Sequence, residues 1–197
     1  REGTLPAHAE APLMTLAKGF MPSLLTLPTA ESRTRWWEGY AATYLERDLR
    51  QLSQIESLSD FRTVMEVLAL RCGQLVNQTA VARDSHVSQA SVHRYLNLLE
   101  TTCLIDRLPA FARNRTTRLI KAPKLHWLDP ALAAYLGGLH DEAQLTASRE
   151  AGALFESMIF HHLKAFASTF TPGVRLHYWR TMKGSEVDLV LEWGRRI

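Results

Sequence analysis

The sequence predicts a mainly helical α+β fold, in which a helical and winged-helix region is followed by a smaller α+β region. Apolar residues recur at spacings of three and four over most of the chain, which is typical of amphipathic helices. In two separate places the spacing changes to two, which indicates short strands. The 197 residues are 46% hydrophobic and 22% charged, the composition of a globular protein with one large domain or two small ones.

The composition excludes several classes of protein. No apolar run approaches the roughly 18 residues that a membrane span requires, and residues 1–10 lack the apolar core of a secretory signal. Two cysteines in a chain of this length indicate a reducing compartment, so we expect a cytoplasmic protein without a membrane partner. The net charge is only +3, so local clusters of charge, rather than the total, must indicate the partners.

The chain divides into three predicted parts. Residues 1–34 contain four of the eight prolines and little periodicity, which predicts a linker or the end of an upstream module. Residues 35–138 form the predicted helical and winged-helix domain, and residues 139–197 form the second, truncated domain. Because the chain begins at Arg1 and ends just after a turn-like segment, we interpret it as part of a longer protein.

A helix-turn-helix is predicted between residues 79 and 99. A short helix is followed by a tight turn at His86, and Ser88 caps a longer helix. Such a turn favours a residue with positive φ, which histidine adopts less readily than glycine. Strands are predicted over residues 104–108 and 124–128, and a helix-turn-helix followed by a two-stranded ribbon is the winged-helix arrangement.

The predicted winged helix presents candidate nucleic-acid contacts. In such a unit the second helix meets the major groove, and flanking cations meet phosphates. No acidic residue lies between Arg107 and Lys124, a segment with six cations that include both of its ends. The candidate contacts on the helix are Gln89, Ser91, His93 and Arg94, and those in the loop are Arg113, Arg115, Arg118 and Lys121. A solvated basic loop, or a winged helix that docks a protein, fits the same pattern.

Two carboxylates of the second domain are candidate metal ligands. Glu156 lies among apolar neighbours on a helix predicted over residues 150–168, and Asp188 lies on the polar face of a predicted strand. A carboxylate in apolar company holds a partner or has a raised pKa. Carboxylate oxygens suit Mg²⁺, although most strand acids simply face water. The residues of this helix that we expect to face inward are Phe155, Met158, Ile159, His162 and Phe166.

Motifs for other chemistry are absent from the sequence. It contains no Gly-x-x-x-x-Gly-Lys-Ser/Thr phosphate loop and no Cys-x-x-Cys or His-Glu-x-x-His spacing. We therefore predict no ATP site, no zinc site and no bound cofactor in this chain.

Several ordered motifs together resemble the C-terminal half of predicted bacterial and archaeal AAA-type ATPases. They are Gly19–Pro22, Tyr44–Leu49, Ala122–Asp129, Gly152–Glu156 and Glu186–Leu191. In that family an ATPase module is followed by a domain of unknown function, which is composed of a winged helix and a restriction-endonuclease-like fold. The resemblance covers nearly the whole chain from Lys18.

The resemblance implies that residues 139–197 are an incomplete endonuclease-like domain of the PD-(D/E)xK type. Such a site uses a helix Glu, a strand Asp and a Glu-x-Lys on the next strand. Glu156 and Asp188 match the first two as catalytic and metal-binding residues, or only support the fold. The third motif would lie past Ile197, so we expect this chain alone to be inactive, with Mg²⁺ and ATP acting in the full-length parent.

The expected function is the nucleic-acid-contacting or effector region of an ATP-dependent protein. Its expected partners are double-stranded DNA, the upstream ATPase module of the same chain and a second copy of the protein. One alternative is an interaction module, in which the winged helix and the Trp36–Trp37 helix dock a partner. The other is a Mg²⁺-dependent nuclease in the full-length parent.

Overall fold

The structure is a computed structural model that describes residues 12–48, 55–112, 114, 121–181 and 184–194. Over these residues the protein is a mainly helical α+β fold with two small antiparallel sheets, as predicted. The helices are α1 (Pro12–Lys18), α2 (Ala30–Tyr40), α3 (Leu58–Ala69), α4 (Gln78–Ser85), α5 (Gln89–Thr101), α6 (Pro130–Leu136), α7 (Glu142–Ala147) and α8 (Ala151–Phe170). The strands are β1 (Ile105–Leu108), β2 (Lys124–Trp127), β3 (Val174–Arg180) and β4 (Glu186–Trp193). A 3₁₀ turn, Pro22–Thr26, follows α1, and α2 continues into a π-helical segment, Ala41–Asp48.

The helices of this described part are too short or too polar to cross a membrane.

The segment before α2 packs into the main core. Leu16 of α1 and Leu24 of the 3₁₀ turn are almost completely buried. Asp129, whose side chain caps α6, also accepts a hydrogen bond from the backbone N–H of Phe20 at 3.0 Å. This hydrogen bond fixes the N-terminal segment against the start of α6. The domain boundaries predicted at residues 34 and 138 stay predictions.

The main core lies between α3, α4, α5 and the first sheet. Phe61 of α3 meets Tyr95 of α5 edge to face, with ring centroids 5.1 Å apart. Trp127 of β2 is fully buried in the same cluster, opposite Ile105 of the antiparallel strand β1. Trp37 of α2 is also buried there, so one ring of the Trp36–Trp37 pair is committed to the interior and not free to dock a partner.

The second sheet is the hairpin formed by β3 and β4, and it is fastened to the segment that leaves β1. The backbone N–H of Tyr178 donates to the carbonyl of Pro109 at 3.1 Å, and the carbonyl of Tyr178 accepts from Phe111 at 2.6 Å. The Tyr178 hydroxyl donates to the carbonyl of Ala122, just before β2. The hairpin is therefore held against the first sheet at both ends of the loop that joins β1 to β2.

Helix α8 turns a different face to the core from the predicted one. Met158 is buried as expected, but Phe155 and Ile159 are each 37% exposed and Phe166 is 57% exposed. The prediction was wrong because it followed the most apolar stripe of the helix. The buried stripe contains Ser157 instead, whose hydroxyl finds hydrogen-bond partners in the interior.

Candidate functional site

Helices α4 and α5 form a compact pair joined at a left-handed turn. Helix α4 ends at His86, which has φ 56° and ψ 29°, so the positive φ predicted at this position is confirmed. Val87 then turns inward and is buried. Ser88 starts α5 by accepting a hydrogen bond from the backbone N–H of Ser91 at 3.1 Å. The turn thus fixes the angle at which α5 leaves α4.

The outer face of α5 carries two of the predicted contact residues in solvent. Gln89 and His93 are exposed, and the Asn97 side-chain amide lies 3.1 Å from Nε2 of His93. Ser91 is half-buried, and its hydroxyl accepts a hydrogen bond from Ser88 at 3.0 Å. The structure therefore places Gln89 and His93 side by side, one helical turn apart, at the N-terminal half of α5.

Arg94 is placed differently from its neighbours on α5. Its Nη1 lies 3.1 Å from the Glu56 carboxylate, just before α3, and its guanidinium carbon lies 5.5 Å from the centre of the Tyr95 ring. The Arg94 side chain is 41% exposed and that of Glu56 is 74% exposed. Such an exposed ion pair is weak, so Arg94 can exchange Glu56 for another anion.

The predicted basic loop is only partly described. Arg113, Arg115 and Arg118 lie outside the described residues, and Lys121 is exposed. The two cations at its ends do not belong to a solvent-facing cluster.

Arg107 forms an ion pair with Glu100 and donates to the side-chain amide oxygen, Oδ1, of Asn97 at 3.0 Å. Lys124 is buried, because it is the first residue of a strand whose four side chains all lie in the interior. Neither end of the segment is among the predicted nucleic-acid contacts, and the prediction for Arg113, Arg115, Arg118 and Lys121 stays a prediction.

Lys124 instead occupies the centre of an acidic cluster. Its Nζ lies 2.9 Å from Oε1 of Glu156 and 2.9 Å from Oδ1 of Asp188, and it also contacts Oε1 of Glu186. An ammonium group has three N–H donors and no acceptor, so three carboxylate oxygens match its full hydrogen-bonding capacity. The two carboxylates predicted as metal ligands are brought together, but around a lysine.

The hairpin irregularity explains how two acids of one strand reach the same ammonium group. His177 pairs with Val190 and Trp179 pairs with Val187, so β4 has one more residue than β3 between these pairs. This is a β-bulge, which locally changes the direction of the side chains. It lies next to Asp188, while Glu186 is paired with Arg180 across the strands.

The charges of the cluster are held by mutual contacts. Burial opposes the charge of Lys124, but the hydrogen bonds that it donates to Glu186, Glu156 and Asp188 outweigh this effect and raise its pKa above the ordinary value. Burial also raises the pKa of Glu156, against the opposing effect of Lys124. The ammonium group is therefore charged at every physiological pH and lacks the lone pair that a general base requires.

A buried polar chain runs from the cluster into the core. Oε1 of Glu156 lies 3.8 Å from Nε2 of His126, and Nδ1 of His126 lies 2.7 Å from the Ser157 hydroxyl. That hydroxyl lies 3.0 Å from the Cys72 sulfur. Burial lowers the pKa of His126 to about 4, with a smaller contribution from Lys124, so the imidazole is neutral at pH 7.

This series of buried polar contacts includes a serine, a histidine and a carboxylate, but these three groups do not form a hydrolase triad. In such a triad Nε2 of the histidine faces the serine and Nδ1 faces the carboxylate, which is the reverse of the arrangement around His126. Ser157 is also completely buried, so no substrate reaches its hydroxyl. Among the described residues, no group of three or more His, Cys, Asp or Glu is arranged to hold a metal ion.

Two family profiles match the chain. The profile described as "Domain of unknown function (DUF8612)" matches residues 12–143. The chain belongs to this family. A second profile, "Domain of unknown function (DUF4143)", matches residues 151–197, and this domain is common in proteins that contain an AAA-type ATPase.

Two curated relatives extend over most of the chain. The uncharacterized proteins Mb2031c of Mycobacterium bovis and Rv2008c of Mycobacterium tuberculosis are each 31% identical over 179 residues. The match covers 91% of this chain and 40% of each relative, so the chain spans less than half the length of the proteins it resembles. No solved structure matches the chain significantly.

The buried polar contacts connect the two matched segments. The DUF8612 segment (residues 12–143) supplies Cys72, Lys124 and His126. The DUF4143 segment (residues 151–197) supplies Glu156, Ser157, Glu186 and Asp188. The contacts around Lys124 and the buried contacts of His126 and Cys72 therefore each join one segment to the other. The ion pair between Arg180 and Glu186 is the exception, because both residues belong to the DUF4143 segment.

The sequence analysis missed the role of Lys124, His126 and Ser157. A signal was present, since Lys124 and His126 alternate with Leu125 and Trp127 in a strand without a solvent-facing side. Two polar residues in a fully buried strand require partners in the interior. Only the fold shows that those partners are acids and a serine of the DUF4143 segment.

Proposed function

We propose that the chain is the DNA-contacting region of an AAA-type ATP-dependent protein, with residues 78–127 forming a winged helix. The observation that carries this proposal is the two-sided arrangement of α5. Its inner face is buried, whereas Gln89 and His93 face solvent from its first two turns. A helix braced on one side and exposed at its N-terminal half is the element that helix-turn-helix proteins insert into the major groove.

The side chains on this face suit base recognition. A glutamine amide both donates and accepts, and can form a bidentate pair with adenine. The ring nitrogens of the His93 imidazole can also form hydrogen bonds with base edges. The affinity for phosphates is expected from the cations Arg113, Arg115, Arg118 and Lys121 in the loop between β1 and β2.

The comparisons support the second part of the proposal. The DUF4143 domain is common in AAA-ATPase-containing proteins, and the curated relatives are more than twice as long as this chain's match to them. We propose that the ATPase module belongs to the same full-length polypeptide and that this chain supplies its DNA-contacting end.

The divalent cation that the family resemblance implies does not fit these residues as they are arranged. Glu156 and Asp188 each give an oxygen to the Lys124 ammonium group at 2.9 Å. A metal ion sharing both carboxylates would have to approach that positive charge closely. We therefore propose no hydrolytic step for this chain, and the nuclease activity of a longer protein stays a prediction.

Binding to a labelled duplex, followed by fluorescence anisotropy over a series of salt concentrations, tests the proposal. We expect an affinity that falls steeply with salt, with a slope of about −0.9 in the double-logarithmic plot for each neutralised phosphate. The triple variant Arg113→Ala/Arg115→Ala/Lys121→Ala should flatten that slope by roughly 2 to 3. The double variant Gln89→Ala/His93→Ala should lower the affinity with little change in slope, because it removes the proposed contacts to base edges and leaves the loop cations in place.

A matched triple variant controls for total charge. Arg35→Ala/Arg149→Ala/Arg175→Ala removes three exposed cations outside residues 78–127, and it should change the slope much less than the loop variant does. Equal slopes for the two triple variants would contradict the winged-helix interface. If duplex affinity is unchanged in all the variants, the result would favour the alternative hypothesis, in which residues 78–127 dock a protein partner.

A further inference from the structure

We infer that Lys124 is the resident cation of the acidic cluster: its ammonium group takes the place that a divalent metal ion would take and locks the β3–β4 hairpin and α8 to β2. The inference concerns the DUF4143 segment and is independent of the proposed DNA contact. It assigns a role to the one buried lysine among the described residues.

The hydrogen-bond geometry is that of a filled site. One oxygen from each of Glu156, Glu186 and Asp188 contacts Nζ of Lys124. These three acceptors come from two separate elements, α8 and β4, and the donor comes from a third, β2. A charge-assisted contact to each N–H leaves the ammonium group fully satisfied, so none of its donors requires water or a ligand.

The burial of the four side chains shows how the site is layered. Lys124 is 4% exposed, whereas the exposed fraction is 19% for Glu156, 25% for Glu186 and 60% for Asp188. The ammonium group therefore approaches from the protein interior, and the carboxylates lie between it and solvent. A cation from solution would have to bind the outer side of carboxylates that already share a buried positive charge.

A second buried group is aimed at the same carboxylate. His126 is completely buried, its Nε2 has no hydrogen-bond partner, and that atom lies 3.8 Å from Oε1 of Glu156. It reaches the cluster from β2, as Lys124 does, because the two residues lie two positions apart on one side of the strand. β2 thus directs two side chains of the DUF8612 segment at one glutamate of the DUF4143 segment.

The contacts between Lys124 and the three acids, called the lock below, attach a hairpin that has few other stabilising contacts among the described residues. The hairpin carries the exposed side chains Trp179 and Val187, and its buried Tyr178 belongs to a small core cluster with Leu108, Ala110 and Phe160. A two-stranded hairpin is marginally stable alone. Contacts to Lys124 add a second point of attachment next to the backbone bonds of Tyr178.

Titration with Mn²⁺, followed by electron paramagnetic resonance of the free ion, tests the inference directly. The wild-type chain should show no saturable binding tighter than about 1 mM, whereas Lys124→Met should bind one ion at least about tenfold more tightly. Adding Asp188→Asn to Lys124→Met should abolish that gain. Adding Glu142→Gln, which removes an exposed acid of α7, should leave it intact.

Amide hydrogen exchange of the hairpin measures the lock itself. In Lys124→Met without metal, the amides of β3 and β4 should exchange faster than in the wild type, and Mn²⁺ should restore part of their protection. The amides of α5 should exchange at the wild-type rate, which distinguishes loss of the lock from general unfolding.

Two results would overturn the inference. The first is tight Mn²⁺ binding by the wild-type chain that Glu156→Gln or Asp188→Asn weakens about tenfold. This result needs only the wild type and two conservative variants, so it remains decisive if Lys124→Met does not fold. The second is a folded Lys124→Met protein that binds no Mn²⁺ and whose hairpin amides exchange at the wild-type rate.

Discussion

The α4–α5 helix pair and the acidic cluster around Lys124 use polar residues in opposite ways. On the helix pair, Gln89 and His93 face water, so a ligand can reach them at little cost to the fold. In the cluster, Lys124 is almost completely buried and its charge is matched by three acids. The comparison shows that α5 keeps two polar side chains accessible to a partner, whereas the fold already uses Lys124 as the cation of a buried cluster.

The sharpest test of this comparison is to remove the lysine of the cluster and, separately, a lysine that is exposed. Lys124→Met leaves three acids facing one another, and breaking a buried ion pair costs about 3 to 5 kcal/mol. Because Asp188 is 60% exposed, we expect a value at the lower end, about 3 kcal/mol. Urea unfolding followed by circular dichroism measures this loss in the free energy of unfolding.

Lys121→Met is the matched control, three residues earlier on the exposed loop. It should change the free energy of unfolding by no more than about 0.5 kcal/mol. Similar losses for the two variants would mean that the cluster around Lys124 contributes nothing special to stability.

The next largest effect is a pH dependence that belongs to the buried cluster alone. The pKa of His126 is about 4 in the folded protein, against 6.5 in an unfolded chain, chiefly because of burial. Between these values the unfolded state binds more protons, so stability is fully present above pH 6.5 and is lost as the pH falls towards 4. Lowering the pKa of His126 from 6.5 to about 4 corresponds to a loss of at most about 3 kcal/mol in the free energy of unfolding.

The raised pKa of Glu156 makes stability increase as the pH falls, which opposes the effect of His126. The contribution of His126 must therefore be measured as the difference between the wild type and a His126 variant. His126→Asn keeps a polar group near Ser157 and removes the titration. We expect the wild type to lose stability more steeply than His126→Asn between pH 6.5 and 4, as measured by urea unfolding at each pH. Parallel curves would show that the neutral imidazole is not what destabilises the fold in acid.

The sequence predicted the helix pair better than the cluster for a physical reason. Turn and cap residues act on their immediate neighbours, so His86 and Ser88 identify the turn and the start of α5 from local pattern alone. Glu156 was recognised as unusual because its helical neighbours are apolar. Its partner could not be found in the same way, since Lys124 lies 32 residues earlier in a different element.

The face of α8 shows the same limit. Apolar periodicity favoured the stripe with Phe155 and Phe166, yet the helix buries the stripe with Ser157. Periodicity counts apolar residues and ignores hydrogen bonds, whereas the interior around Cys72 and His126 accommodates a hydroxyl because it supplies hydrogen-bond partners for it. The bulge that aims Asp188 at Lys124 is likewise set by pairing between strands and not by the sequence of β4 alone.

A smaller effect tests the turn of the helix pair. His86 has φ 56°, a region that costs most side chains about 1 kcal/mol or more and costs glycine nothing. His86→Gly should therefore raise the free energy of unfolding by about 0.5 kcal/mol, after the entropy of glycine is subtracted. His93→Gly, the same change inside α5, should lower it by about 0.5 kcal/mol. Thermal unfolding of both variants checks that the first is more stable and the second less stable than the wild type. If both variants were less stable, His86 would make contacts that outweigh its backbone strain.

The smallest effect concerns the ion pair between Arg94 of α5 and Glu56, two residues before α3. The contact between Arg94 and Glu56 is exposed, so a double-mutant cycle with Arg94→Ala and Glu56→Ala should give a coupling energy of about 0.5 kcal/mol that fades in 1 M salt.

Glu56→Gln then distinguishes two roles for Arg94. If Arg94 contacts DNA, this variant should bind a duplex more tightly than the wild type, because the arginine no longer has a competing anion and a negative charge is gone from the interface. If Arg94 only braces α5, Glu56→Gln should lower stability slightly, and it should change duplex affinity by the same factor whether or not Arg94→Ala is also present. An exposed pair can be exchanged for a phosphate in this way, whereas the buried contacts of Lys124 cannot, because releasing them would leave three acids without their cation.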